Sequence, residues 1–350
     1  MLIETGLPYD DLRAVPAAAR RIEALGFDAA VVPEINRDPF LPLVLAAEHT
    51  TRLGLATTVA IAFPRAPWVT AALAWDLQRY SGGRFVLGLG TQVRKHNEER
   101  FSVPWSAPVP RMREYVQTLH AIWDSWQHDT PPSFVGTHYR YTYATPFFSA
   151  GPIEHPQIPV HLSAVNPGMC RLAGEVARGV RLHGFCTRRY LDEVILPNLA
   201  RGAAKVGRAL ADLELSGGGF VATGPDDAAV AAQLEVVRRQ IAFYGSTPTY
   251  RGVLELHGWS DLGERLSQLA RTARWDEMAR AVPDDVVHAF AAVGRYDEIA
   301  PRICERFRGI TRLAFPLPSP TPRDEEQMRA MLVALRDGDA AAGVAAGRPA

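Results

Sequence analysis

The sequence predicts an α/β protein, a closed (β/α)8 barrel, and three observations carry that expectation. Short apolar runs alternate with longer amphipathic ones from the first residue onward, in about eight strand-then-helix units. Stretches such as "AAVVP" and "VLGLG" are apolar at consecutive positions, as strands buried on both faces are. Such a number of units closes a cylinder better than it fills an open doubly wound sheet, and in a cylinder the chemistry sits where each strand runs into its helix.

The elements follow in order. "LIETG" reads as a strand and "DLRAVPAAARRIEALG" as a helix closed by Gly26. "FDAAVVPE" is the next strand, and "PFLPLVLAAEHT" a helix that tolerates Pro39 in its first turn. "LGLATTVAIAF", "PWVTAALAWDLQRYSGG" and "GRFVLGLG" give a strand, a helix and a strand. "RMREYVQTLHAIWDSW" carries Met112, Tyr115, Leu119, Ile122 and Trp126 at helical spacing, a packing stripe. Residues 129–157, rich in Pro, Gly and aromatics, break the rhythm and read as an insertion, a hairpin and lid over the core. The alternation resumes with "IPVHLSAV", "PGMCRLAGEVAR", "GVRLHGF" and "RRYLDEVILPNLARGAAKVGRAL". "LELSGGGFVAT" reads as one strand, followed by the helix "PDDAAVAAQLEVVRRQIAFYG". A helical insertion over 249–307 precedes a last strand, "TRLAFPLP", and a closing helix. Residues 1–337 thus form a single domain, and 338–350 a disordered tail without apolar period.

Bulk properties narrow the function. In 350 residues, 38 Lys and Arg balance 38 Asp and Glu, so no broad field invites nucleic acid or a membrane surface. Lysine occurs only at Lys95 and Lys205. The 3 cysteines form no CxxC pair, and the start "MLIETGLPYDD" meets an acid at Glu4, unlike a signal peptide. No run is long enough to cross a bilayer. A cytoplasmic, reduced protein is expected.

The stretch "GRFVLGLGTQVRKHNEERF" poses the sharpest question. Glycines at Gly88 and Gly90 weaken a strand, so something approaches its backbone closely: another strand, a nucleotide or a flat ring. A dinucleotide fingerprint fails, because Val93 stands at the third glycine position and "RKHNEERFSVPW" opens no helix. A metal hydrolase fails too, since His161, His183 and His257 are scattered without H-x-H or H-E-x-x-H spacing, and no metal site is expected.

That stretch, with "TTVAIAFPRAP" and "LSAVNPGMCRLAGEVARG", resembles the bacterial luciferase-like superfamily of flavin and deazaflavin oxidoreductases, a barrel family. The resemblance runs from "LPYDDLRAVPAAARRIEALGFDAAVVPE" to "GITRLAFPLP", and the "AWDLQRYSGGRFVLGLGT" pattern is its strongest part. It is closest to the branch that uses coenzyme F420. It implies a bulge at the end of the third strand, with a non-prolyl cis peptide matching Thr58–Val59, and with Ala60 and Ile61 completing the ledge behind the cofactor ring. Gly90 then lies near the ring edge, and Thr91 and Gln92 offer it hydrogen bonds. The loop "AVNPGM" is implied as the phosphate site, through Ala164, Asn166, Gly168 and Met169 at a helix start whose backbone N–H groups bind anions. Capping of that helix by Asn166 is the plain alternative. Glu34 ends the second strand, either as an acid near the ring or as a cap on a loop amide. His96 is either part of a solvated charge run with Asn97 and Arg100, on a loop, or a proton donor suited to neutral pH.

The expected function is therefore hydride transfer between F420 and a small organic substrate, in a homodimer as is usual among relatives. An FMN-dependent monooxygenase fed by a separate reductase is the first alternative, and a non-catalytic cofactor-binding barrel the second. Val93 stands where the sugar-phosphate branch carries a carboxylate, and Lys95 and Lys205 match its phosphate-binding lysines poorly, which disfavours glucose 6-phosphate. Aromatics at Trp105, Phe134, Tyr139, Tyr141, Phe147 and Phe148 hint at a hydrophobic or aromatic substrate.

Overall fold

A computed structural model describes residues 1–345. Its first strand, β1 (Leu2–Gly6), pairs in parallel with β2 (Ala29–Val32), and that with β3 (Gly54–Thr57), which resumes after a break as Ala60–Ile61. β4 (Phe85–Gly90), β5 (Val160–Ala164), β6 (Gly179–Leu182), β7 (Glu214–Gly217) and β8 (Arg312–Phe315) continue the order. β8 pairs with β1, which closes an 8-stranded parallel barrel. The chain has the expected (β/α)8 fold.

Helices form where the sequence alternates at their period. In α1 (Val15–Leu25), Val15, Ala19, Ile22 and Leu25 are buried at spacings of three and four, and Gly26 ends the helix at φ 92°. α2 (Phe40–Glu48), α3 (Pro67–Tyr80), α4 (Pro108–His128) and α5 (Pro167–Val176) follow their strands in the same way. Outward strand residues such as Ile3, Leu55, Leu87 and Leu162 join the core between barrel and helices.

The inside of the barrel is divided. On β2, β3 and β4 it is apolar, with Val31, Ala56 and Val86 in contact. On the other side five strands contribute polar groups, among them Glu4, His161, Arg181 and Arg312. The period-two alternation of "VHLSA", "GVRL" and "ELSG" marks these positions.

Four expectations need correction. "LELSGGGFVAT" is two strands, because Gly217, Gly218 and Gly219 all take positive φ and turn the chain out of the barrel. The second piece, Phe220–Gly224, pairs with Ala291–Arg295 in a separate 2-stranded sheet, so the 249–307 segment holds a strand as well as helices. The 129–157 segment contains the expected hairpin, Phe134–Val135 with Arg140–Tyr141, but packs along α3 and α4 rather than over the mouth. There the Glu114 carboxylate accepts from the His138 N–H at 2.6 Å, and the Trp75 indole donates to Gly151 O at 3.0 Å. Of its aromatics, Tyr139 and Tyr141 pack on α4 through Tyr115 and Ser125, whereas Tyr143, Phe147 and Phe148 are exposed. The closing helix runs Pro322–Ala345, past the expected start of the tail at 338, and residues 346–350 of that tail lie outside the described residues. No helix among the described residues is long and apolar enough to cross a membrane.

Candidate active site

The break in β3 is a bulge. Ala56 faces Val86 and Ala60 faces Leu89, so four steps on β3 match three on β4. The Thr58–Val59 peptide is cis. Thr57 pins the bulge to its neighbour, its hydroxyl donating to Gly88 O at 2.7 Å and accepting from Gly88 N–H at 2.9 Å. Thr58 N–H reaches Val32 O at 2.8 Å, so strands on both sides hold the irregular segment.

This answers the question of the two glycines. A Cβ on Gly88 would stand 2.0 Å from Thr57 O, and one on Gly90 2.6 Å from Val59 Cγ2. What lies against the glycines is the neighbouring strand's bulge. Gly90 faces inward, and the Val59 side chain leans across it toward Ser163 on β5. Val59 is half-buried, so it offers an apolar ledge at the carboxyl end of the barrel.

Glu34 is engaged with that ledge's far half. Its carboxylate accepts from Ile61 N–H at 2.7 Å and from Arg65 at 2.6 Å, and Arg65 also donates to Ile61 O at 3.0 Å. Burial works against the Arg65 charge, but its bonds to Glu34 and Asp38 hold the guanidinium pKa above its ordinary value. Of the two expectations for Glu34, the structure displays the amide cap.

Beyond β4 a short helical turn opens where none was expected. Asn97 N–H bonds to Val93 O at 3.1 Å, and Phe101 N–H reaches back five residues to His96 O at 3.0 Å, a π-type turn. Asn97 explains it: buried, it donates through Nδ2 to Thr91 O at 2.9 Å and Val93 O at 3.1 Å, tying the turn to the strand end. Gln92 takes φ 57° and its side chain accepts from Val93 N–H. His96 is exposed, and its ring makes no hydrogen bond among the described residues.

On the next strand, Ala164 is buried and Asn166 occupies the position before α5 without capping it. Its Nδ2 points instead to Thr249 O at 3.4 Å, and among the described residues no side chain occupies the amides of the first turn, where Gly168 and Met169 stand. The start of α5 is thus competent to hold an anion.

Below the mouth lies the charged half of the barrel interior. Arg181 bonds to Glu4, and Arg312 bridges Glu4 at 3.2 Å and Glu214 at 2.7 Å. Burial alone would raise the Glu4 carboxyl, but Arg181 and Arg312 keep it below its usual range. His161 and Arg312 hold Glu214 well below the carboxylate range, while burial lowers the His161 pKa. Among the described residues no cluster of His, Cys, Asp and Glu gathers as a metal site would require.

Fold and rim together define a class: a (β/α)8 barrel whose candidate site lies at the carboxyl ends of β3, β4 and β5, with an apolar ledge and an open helix start. The chain belongs to the luciferase-like monooxygenase family, whose model matches residues 3–312. It is 46% identical over 315 residues to an uncharacterised protein of Mycobacterium tuberculosis, covering 90% of this chain and 92% of that one. It is 28% identical over 300 residues to a 5,10-methylenetetrahydromethanopterin reductase of Archaeoglobus fulgidus, with 83% and 85% covered. Among solved structures, the coenzyme F420 dependent tetrahydromethanopterin reductase of Methanopyrus kandleri shares the fold, with TM-score 0.77, 24% identity, and 95% and 97% of the two chains covered.

Proposed function

We propose that the protein is an oxidoreductase that uses coenzyme F420 and acts on a small organic substrate. One observation carries this reading: the Val59 ledge and the uncapped start of α5 flank a single strand end, that of β4. A ledge suits a flat ring and a helix start suits a phosphate, and a deazaflavin joins the two through a short chain. The F420 in the name of the Methanopyrus protein supports the choice of coenzyme. When bound, a deazaflavin supplies a two-electron carrier that gives up or accepts a hydride.

In this reading Thr58, Val59, Ala60 and Ile61 support one ring face. Gly90, Thr91 and Gln92 border the ring, and Ala164, Asn166, Gly168 and Met169 hold the phosphate. Glu34 positions the ledge through the Ile61 amide. His96, exposed on the same rim, exchanges a proton with the substrate. Titration of the purified protein with F420 and with FMN tests the coenzyme. The expected result is F420 binding at least about tenfold tighter than FMN. Binding of FMN alone would replace the reading with that of an FMN-dependent monooxygenase, and bound coenzyme without turnover of any substrate would favour a non-catalytic barrel.

A homodimer belongs to the same proposal. α2 and α3 present an exposed apolar stripe to solvent, with Leu41 at 57%, Val44 at 41%, Leu73 at 37% and Tyr80 at 53% exposure. Between them runs a groove of about 450 Å³ lined by Phe40, Val44, Leu73, Leu77 and Tyr80, with Asp76 and Arg79 among its lining residues. A contiguous apolar face of this kind on paired helices suits a second copy of the same face. Leu73→Glu is expected to convert a dimer to a monomer in sedimentation without lowering the melting temperature of the fold. A monomeric wild-type protein would discard the dimer.

A further inference from the structure

A second wall of the mouth stands on β6. Arg181 points into the barrel toward Glu4, and His183 is the first residue past the carboxyl end of β6, where the strands open into the mouth. Its Nδ1 accepts from Phe185 N–H at 2.9 Å, which leaves the proton of the neutral ring on Nε2. Burial brings the His183 pKa down to about 4, so the ring is neutral at physiological pH and acts as a hydrogen-bond donor rather than an acid.

Two tyrosines frame this imidazole. Tyr250 lies with ring centroids 4.7 Å apart at 35°, and Tyr244 meets it edge-on at 4.3 Å. Phe185 backs Tyr250 at 5.6 Å and Phe290 backs Phe185 at 4.5 Å, so the wall is held rigidly from behind. The Asn166 bond to Thr249 O ties the segment to the end of β5, beside the start of α5. His183 Nε2 and the hydroxyls of Tyr244 and Tyr250 make no hydrogen bond among the described residues, and none is a buried orphan, so all three tips open to solvent.

Among the described residues burial alone shifts His183 and Tyr244, and no charged side chain acts on either. An anion brought here would lose water without gaining a counter-charge, whereas a neutral ring loses little. Flat aromatic surfaces with a polar tip recognise flat ligands through stacking and one directed bond.

We infer that His183, Tyr244 and Tyr250 bind the substrate, and that it is an uncharged aromatic compound with a carbonyl-type acceptor for His183 Nε2–H. The inference rests on the oxidoreductase reading for the word substrate, but not for the binding itself. Calorimetry of the full-length protein with 2-acetylnaphthalene, and with 2-naphthoate as its charged counterpart, tests it. The ketone is expected to bind, and 2-naphthoate to bind at least about tenfold more weakly. His183→Phe keeps a flat ring and removes the donor, and is expected to weaken the ketone about tenfold. Tyr250→Leu removes a stacking face without touching the donor and is expected to weaken it similarly; it decides the matter alone if His183→Phe does not fold. No ketone binding, equal binding of the naphthoate, or folded variants that bind the ketone as wild type does would each overturn the inference. F420 titration of the same samples separates the two readings: F420 binding without ketone binding removes only this wall, and ketone binding without F420 binding removes only the coenzyme.

Discussion

Gly88→Ala is expected to destabilise the barrel by about 3 kcal/mol and to abolish the proposed coenzyme binding with it. The new methyl would stand 2.0 Å from Thr57 O, a backbone atom that cannot rotate away. Thr57 is itself bonded twice to Gly88, so relief requires the two strands to part and both bonds to lengthen. Against a total stability of about 5–15 kcal/mol, a loss of that size is large. Gly6→Ala is the control: it too is a strand glycine near the mouth, but a Cβ there meets nothing within 4 Å. Gly90→Ala should fall between, because the obstacle is the Val59 side chain at 2.6 Å, which can move at the expense of the ledge. Urea unfolding midpoints of the three variants check the order. Equal midpoints for Gly88→Ala and Gly6→Ala would mean that the bulge does not press on β4.

Gly168→Asp is expected to weaken F420 by about 2 kcal/mol, roughly thirtyfold, while leaving the protein slightly more stable. The two effects have opposite signs because the same field acts on two anions. A carboxylate in the first turn of α5 satisfies the helix start and adds about 0.3–1 kcal/mol of stability. It then repels the phosphate proposed to sit there. Space is not the obstacle, since a Cβ on Gly168 meets only Val109 Cγ2, at 3.4 Å. Gly168→Asn, equal in size and uncharged, should retain most of the affinity. Melting curves without ligand and fluorescence titration with F420 read the two effects separately. Unchanged F420 affinity in Gly168→Asp would move the phosphate to another part of the rim.

Much of the fold was legible because local pattern and local structure agree here. α1 is spelled by its buried spacing and by Gly26, and β2 by four successive apolar residues, all of them buried. The bulge region was legible only through family resemblance, since "TTVAIAF" read on its own is an ordinary strand end. The helical turn after β4 was hidden because its determinant, Asn97, acts through bonds to Thr91 and Val93 that composition does not display. Asn166 looked like a helix cap and is not one: its side chain instead donates through Nδ2 to Thr249 O, far away in sequence. The triple glycine after Ser216 was visible, but its meaning as an exit from the barrel was not.

The sequence by itself determined the alternation of strands and helices, the (β/α)8 class and the family. The alternation and the class depend on periodicity and turn chemistry within a few residues, and the family came from resemblance. Only the tertiary structure decided who meets whom. Glu4 and Arg181 are 177 residues apart and touch solely because the cylinder closes. His183 joins Tyr244 and Tyr250 for the same reason, and Gly88 meets Thr57 O only once β3 lies beside β4. A strand's pattern states which face a residue takes, while its partner across the barrel depends on strand order and register.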